Sequence, residues 1–140
     1  MSAWDAVLGQ DEAVATLRAA AAPDAAPGAM THAWLITGPA GSGRSTLASA
    51  FAAALIARDP DDADTIAQVH ARTHPDLTAL RTDRVIISIA EARELVRGAY
   101  YAPSLGRYRV IIVEDADRMS ERTSNVLLKA LEEPPERTVW

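Results

Sequence analysis

Residues 38–45 read Gly38-Pro39-Ala40-Gly41-Ser42-Gly43-Arg44-Ser45, and no other stretch constrains the fold as much. Two glycines with four residues between them, then a cation and a hydroxyl, is the spacing of a phosphate-binding loop. Glycines let the backbone wrap so that several N–H groups point at one phosphate. A helix starting near Arg44 would add the positive end of its dipole, and Ser45, followed by Thr46, supplies hydroxyls. The loop requires a strand before it and a helix after it. Ala33 to Thr37 is a short apolar run that predicts a buried strand, and the Ala-rich stretch Ser45 to Arg58 predicts the helix. Arg44 stands where lysine is usual: it keeps the charge but replaces a compact ammonium by a planar fork. Phosphate binding is compatible with that exchange, while hydrolysis is expected to be slowed or lost.

A second constellation lies some 70 residues on. Arg109 to Val113 is a β-branched run, the mark of a central parallel strand, and it ends in Glu114-Asp115. In phosphate-loop enzymes one carboxylate at this place holds Mg²⁺ and the next orients the attacking water. Glu114 is therefore assigned to Mg²⁺ with Ser45, and Asp115 to the catalytic position. The usual order is Asp then Glu, so each carboxylate here differs by one methylene in reach.

Elsewhere strands and helices alternate. Asp11 is expected to cap a helix containing Val14, Leu17 and Arg18. Ala21 to Ala29 and the acidic stretch Asp59 to Asp64 read as loops, and Thr65 to Ala71 as a short helix. Leu77 to Leu80 and Val85 to Ser88 read as short β runs. Ser88-Ile89-Ala90-Glu91 matches a capping box and opens a helix to about Tyr100, with Ile89, Ala92, Leu95 and Val96 on one face. Ser120 caps a last helix that turns Val126, Leu127, Ala130 and Leu131 inward before Pro134-Pro135. The class is α/β with a mostly parallel sheet flanked by helices.

Composition excludes several functions. With no Cys there is neither a disulfide nor a thiolate metal site, and the acidic loop gives only hard ligands. A net charge of −5 makes the surface as a whole a poor nucleic-acid binder. Arg93, Arg97, Arg107 and Arg109 near Tyr100 and Tyr101 would make a local basic patch, but a solvated helix face with packed tyrosines is the weightier reading. No signal peptide is expected at Met1-Ser2-Ala3-Trp4-Asp5, and no stretch approaches 18 apolar residues, so the expected location is cytoplasmic.

The block Ser124-Asn125-Val126-Leu127-Leu128-Lys129-Ala130-Leu131-Glu132-Glu133-Pro134-Pro135 resembles the signature of bacterial DNA polymerase III clamp-loader subunits of the AAA+ type. Trp4-Asp5-Ala6-Val7-Leu8-Gly9-Gln10, His32-Ala33-Trp34-Leu35 and Thr73-His74-Pro75-Asp76-Leu77 resemble other segments of that family, in the same order. The resemblance implies a P-loop NTPase (AAA+) sheet, with ATP or ADP and Mg²⁺ as ligands and Val7 and Leu8 on the adenine side. It implies the gamma/tau and delta subunits and the sliding clamp as partners, with primed DNA reached through the complex and no membrane contact. It also implies that residues 1–140 are the N-terminal portion of the AAA+ domain, the sensor strand, lid and collar following later. Thr138-Val139-Trp140 accordingly reads as the opening of a strand in a truncated chain.

Family members usually carry a four-cysteine zinc module before the Thr-His-Pro-Asp segment, and Asp59-Pro60-Asp61-Asp62-Ala63-Asp64 stands there instead, so no zinc is expected. Arg44 and the inverted Glu114-Asp115 favour the delta-prime branch, whose own ATPase activity is in doubt on these residues. The alternatives are an ATP-hydrolysing motor subunit of the gamma/tau branch and, further off, a P-loop small-molecule kinase.

Overall fold

The computed structural model describes residues 2–22, 25, 30–39, 41–59, 61–82 and 84–140. The loop expected between Ala21 and Ala29 lies largely outside them, as does Ala40. The elements are α1 (Asp11–Ala21), α2 (Arg44–Ile56), α3 (Ala63–His70), β1 (Leu77–Leu80), α4 (Ile89–Ala99), β2 (Arg109–Val113), a 3₁₀ turn (Ala116–Arg118), α5 (Glu121–Glu132) and β3 (Thr138–Val139).

The sheet has the order β1-β2-β3 and is parallel throughout, with Leu80 opposite Val113 and Val110 opposite Val139. Successive side chains of β2 point to opposite faces, and both faces are covered. Val110 and Ile112 join the core made with α1, α2 and α3, while Ile111 packs with Leu95 and Ala99 of α4 on the other side. Helix α2 is apolar all round because α1, α3 and the sheet enclose it; Ala50, Ala52, Ala53 and Leu55 are fully buried. Trp34 meets Phe51 edge-on at 5.3 Å between ring centroids, which fixes the approach to the phosphate loop.

Local chemistry explains the helix starts. Ser88 and Glu91 form the expected capping box, and Ser120 accepts from the Thr123 N–H. Asp62 caps α3 by accepting from the Thr65 N–H at 3.1 Å, so that helix starts two residues before its expected place. Asp11 is the first residue of α1, and Gln10 takes the capping position without a side-chain bond.

Two expected strands differ. Residues 33–37 form no strand and alternate between exposed and partly buried, because among the described residues only Trp140 pairs with this segment: the Trp34 N–H donates to the Trp140 carbonyl at 2.9 Å, and the Trp140 N–H to the His32 carbonyl at 2.7 Å. Beyond that pairing a cavity of about 650 Å³ opens between Ile36 and Ile112, with Leu127 and Trp140 in its wall. The Val85–Ser88 stretch is reduced to a single parallel bridge, Ile87 to Met119, and Val85 and Ile86 are exposed. Ile87 is fully buried, so one residue of that run carries its anchoring.

Candidate functional site

The phosphate loop and the acidic strand end meet at the carboxyl edge of the sheet, where parallel α/β folds place ligands. Gly41 (φ +81°) and Gly43 (φ +91°) take left-handed backbone that wraps the loop into α2. The Ser42 N–H closes the turn on the Pro39 carbonyl at 3.1 Å. Gly43 is the N-cap and has no side chain to cover the first N–H groups of α2, so these are left without a side-chain cap. The N-terminal segment reaches the same place: the Gln10 side chain donates to the Ser42 carbonyl at 3.1 Å. Val7 of that segment packs on the core, whereas Leu8 is 84 % exposed.

The carboxylates are already engaged. Glu114 follows β2 and accepts from the Ser45 hydroxyl, so two residues named together for Mg²⁺ do meet. Arg72 enters the same contact: its Nη2 lies 3.2 Å from both Ser45 Oγ and Glu114 Oε1. Arg81 stands on the other side, Nε 3.8 Å from Glu114 Oε2. Asp115 sits in left-handed backbone (φ +54°) that turns the chain into the 3₁₀ segment. Its carboxylate lies 4.0 Å from Arg44 Nη2 and 3.8 Å from Arg118 Nη2. Each acid is thus flanked by two guanidinium groups.

Sequence reasoning missed Arg72, Arg81 and Arg118. Arg81 was within reach of it: once β1 and β2 pair in parallel with Leu80 beside Val113, the residues that follow, Arg81 and Glu114, are neighbours. Arg72 carries no such signal, since it depends on left-handed backbone (φ +60°) that nothing in an arginine announces.

The segment after Arg72 is a strut beneath the site. Asp76 is fully buried, and its carboxylate accepts from the backbone N–H groups of Ser104 (2.5 Å), Leu105 (2.9 Å) and Gly106 (2.7 Å) and from the Ser104 hydroxyl (3.0 Å). Burial pushes its pKa up, but the backbone N–H donors and the Ser104 hydroxyl win and hold it at about 2. His74 is buried and structural, its Nδ1 accepting from the Asp76 N–H at 3.0 Å.

Of the four arginines of the expected basic patch, Arg93 is exposed on α4 and the other three are engaged elsewhere. Arg109 is buried and donates to the Tyr101 and Ala102 carbonyls at 2.6 and 3.1 Å; Arg97 pairs with Glu94, and Arg107 donates to the Ala21 carbonyl. Tyr100 and Tyr101, expected to pack, are exposed because the buried Arg109 holds their loop by its backbone. Among the described residues no group of three or more His, Asp or Glu side chains is arranged to hold a metal ion, and no helix is long and apolar enough to cross a membrane.

Comparison with known proteins agrees with this architecture. Residues 9–140 match the family described as DNA polymerase III, delta subunit. DNA polymerase III subunit delta-prime of Pseudomonas aeruginosa is 35% identical over 116 residues, covering 77% of this chain and 35% of that protein. Subunit gamma/tau of Mycobacterium bovis is 31% identical over 141 residues, 96% of this chain and 24% of its own length. A gamma subunit-related protein of DNA polymerase III from Thermotoga maritima superimposes with a TM-score of 0.54 at 26% identity, over 68% of this chain and 28% of that one. The chain spans about a third of the length of the delta-prime relative.

Proposed function

We propose a role in sliding-clamp loading, from the premise that the chain belongs to the family of DNA polymerase III delta subunits. In this reading residues 1–140 are the N-terminal portion of an AAA+ domain in a delta-prime-like subunit. The subunit works in the cytoplasm beside gamma/tau and delta, helps to open the sliding clamp and reaches primed DNA through the complex. ATP or ADP binds at residues 38–46 with its adenine towards Val7 and Leu8.

One observation carries the distinction from a motor subunit: both acids at the end of β2 are held by arginines, Glu114 by Arg72 and Arg81, Asp115 by Arg44 and Arg118. A carboxylate that positions water must be turned towards that water and not towards a neighbouring cation. Asp115 has two cations against it, and Arg44, the residue that would follow the phosphates, is one of them. The subunit therefore serves as a partner that binds nucleotide without hydrolysing it, while its neighbours hydrolyse ATP.

The test is a reconstituted loader containing the full-length subunit, a labelled clamp and primed DNA. Leaving the subunit out abolishes loading. Arg44→Ala and Asp115→Ala leave the ATP turnover of the complex within about twofold of the parent. Turnover abolished by either change reassigns the chain to the hydrolysing gamma/tau branch. Family membership leaves the small-molecule kinase reading without support.

A further inference from the structure

Magnesium does not fit the place the sequence assigns to it. Ser45 and Glu114 are the residues that would hold a divalent ion there, and a guanidinium already spans them: Arg72 Nη2 is 3.2 Å from Ser45 Oγ and from Glu114 Oε1. The hydroxyl itself donates to the carboxylate, and its oxygen accepts from Arg72 in a direction that a metal ion would otherwise use. Arg81 adds a second positive group 3.8 Å from the other carboxylate oxygen. Mg²⁺ demands oxygen ligands in near-octahedral order, and two adjacent guanidinium groups oppose its charge.

Two buried atoms show that the arrangement is incomplete. Arg72 Nη1 and Glu114 Oε2 are both buried without a hydrogen-bond partner. An orphaned donor costs free energy until an acceptor reaches it. The donor belongs to the group that contacts Ser45, the second residue of α2, and the first N–H groups of that helix have no side-chain cap. A phosphate oxygen is an acceptor for these donors, whereas Glu114 Oε2, itself an acceptor, faces the Arg81 guanidinium at 3.8 Å. Arg72 holds its place at the expense of a left-handed backbone, φ +60°, fixed by its N–H bond to the Val69 carbonyl at 3.0 Å.

We propose that Arg72 is the resident cation of this site, so that the loop takes the phosphates of a nucleoside di- or triphosphate without a divalent metal. The proposal rests on the reading of residues 38–46 as a phosphate site and deepens it. It also accounts for an inert site in physical terms: a guanidinium fixed to the protein neutralises charge, but it brings no bound water and cannot follow a leaving phosphate.

The experiment measures binding of fluorescent ADP to the full-length protein in EDTA and in millimolar Mg²⁺. It compares the parent with Arg72→Gly, which suits the left-handed backbone, and with Arg72→Lys, which keeps the charge. The parent's affinity changes by less than about twofold on adding Mg²⁺, whereas Arg72→Gly weakens about tenfold in EDTA and recovers with the metal. Arg72→Lys retains most of the affinity in EDTA. The proposal is overturned if Mg²⁺ tightens the parent about tenfold, or if Arg72→Gly in EDTA binds like the parent. If no form binds nucleotide, the phosphate-site reading itself fails, and Mn²⁺ titration followed by electron paramagnetic resonance decides the role of Arg72. A Mn²⁺ site gained in Arg72→Gly and lacking in the parent upholds it as the resident cation; no gain overturns it.

Discussion

Replacing Asp76 by Asn tests the strut beneath the site. The side chains are nearly the same size, so packing is preserved and only charge and hydrogen bonding change. One carboxylate oxygen accepts from the Ser104 N–H and hydroxyl, the other from the Leu105 and Gly106 N–H groups. An Asn amide must turn its NH₂ towards one of these pairs, which leaves backbone donors facing a donor. Arg109, 3.8 Å from the carboxylate, also loses its ion-pair partner. The fall of the Asp76 pKa from 3.8 to about 2 is by itself equivalent to about 2.5 kcal/mol. Adding the unsatisfied donors gives an expected loss of about 3–5 kcal/mol at pH 7.

The sign with pH follows from the depressed pKa. The stabilisation is complete above the unfolded-state value of 3.8 and is lost as pH falls through about 2. Urea unfolding of the full-length parent and of Asp76→Asn, at pH 7 and at steps down to pH 2, measures it. The difference between the two proteins should shrink across the interval from about 4 to about 2, whatever the other carboxylates do to both. A variant within about 0.5 kcal/mol of the parent at pH 7 would refute the argument, as would a difference that does not narrow in acid.

Gly106→Ala should destabilise by about 1–3 kcal/mol, because a Cβ there would lie 2.6 Å from the Ile56 carbonyl oxygen, on backbone that cannot yield; thermal unfolding measures it. Ser88→Ala removes half of the capping box of α4 and should cost about 1 kcal/mol, with the loss confined in hydrogen exchange to the first turn of that helix; protection unchanged there would count against the box.

What the sequence made legible followed from local rules. The β-branched run at Arg109–Val113 became the central strand because every one of its side chains has a face to bury in. The capping box at Ser88 and Glu91 was readable because both partners lie within four residues. The 33–37 segment reads as a buried strand because its apolar residues suit one, but burial depends on a neighbour about a hundred residues away. At the site, residues 38–45 and Glu114-Asp115 could be found by spacing. The arginines that now hold those acids could not, since Arg72 and Arg118 arrive through left-handed backbone, their own or that of Asp115, and Arg81 only through strand register.

The pairing of Trp140 with His32 and Trp34 has a consequence in time. Residues 32–34 leave the ribosome about a hundred residues before the backbone groups that dock them, on the order of ten seconds at bacterial rates of synthesis. His32 is tied to the same late region by its ring, Nε2 donating to the Leu131 carbonyl at 2.6 Å. The phosphate loop is therefore synthesised well before the residues that frame it. A nascent chain halted before Leu131 carries the glycine-rich sequence without the frame that shapes it.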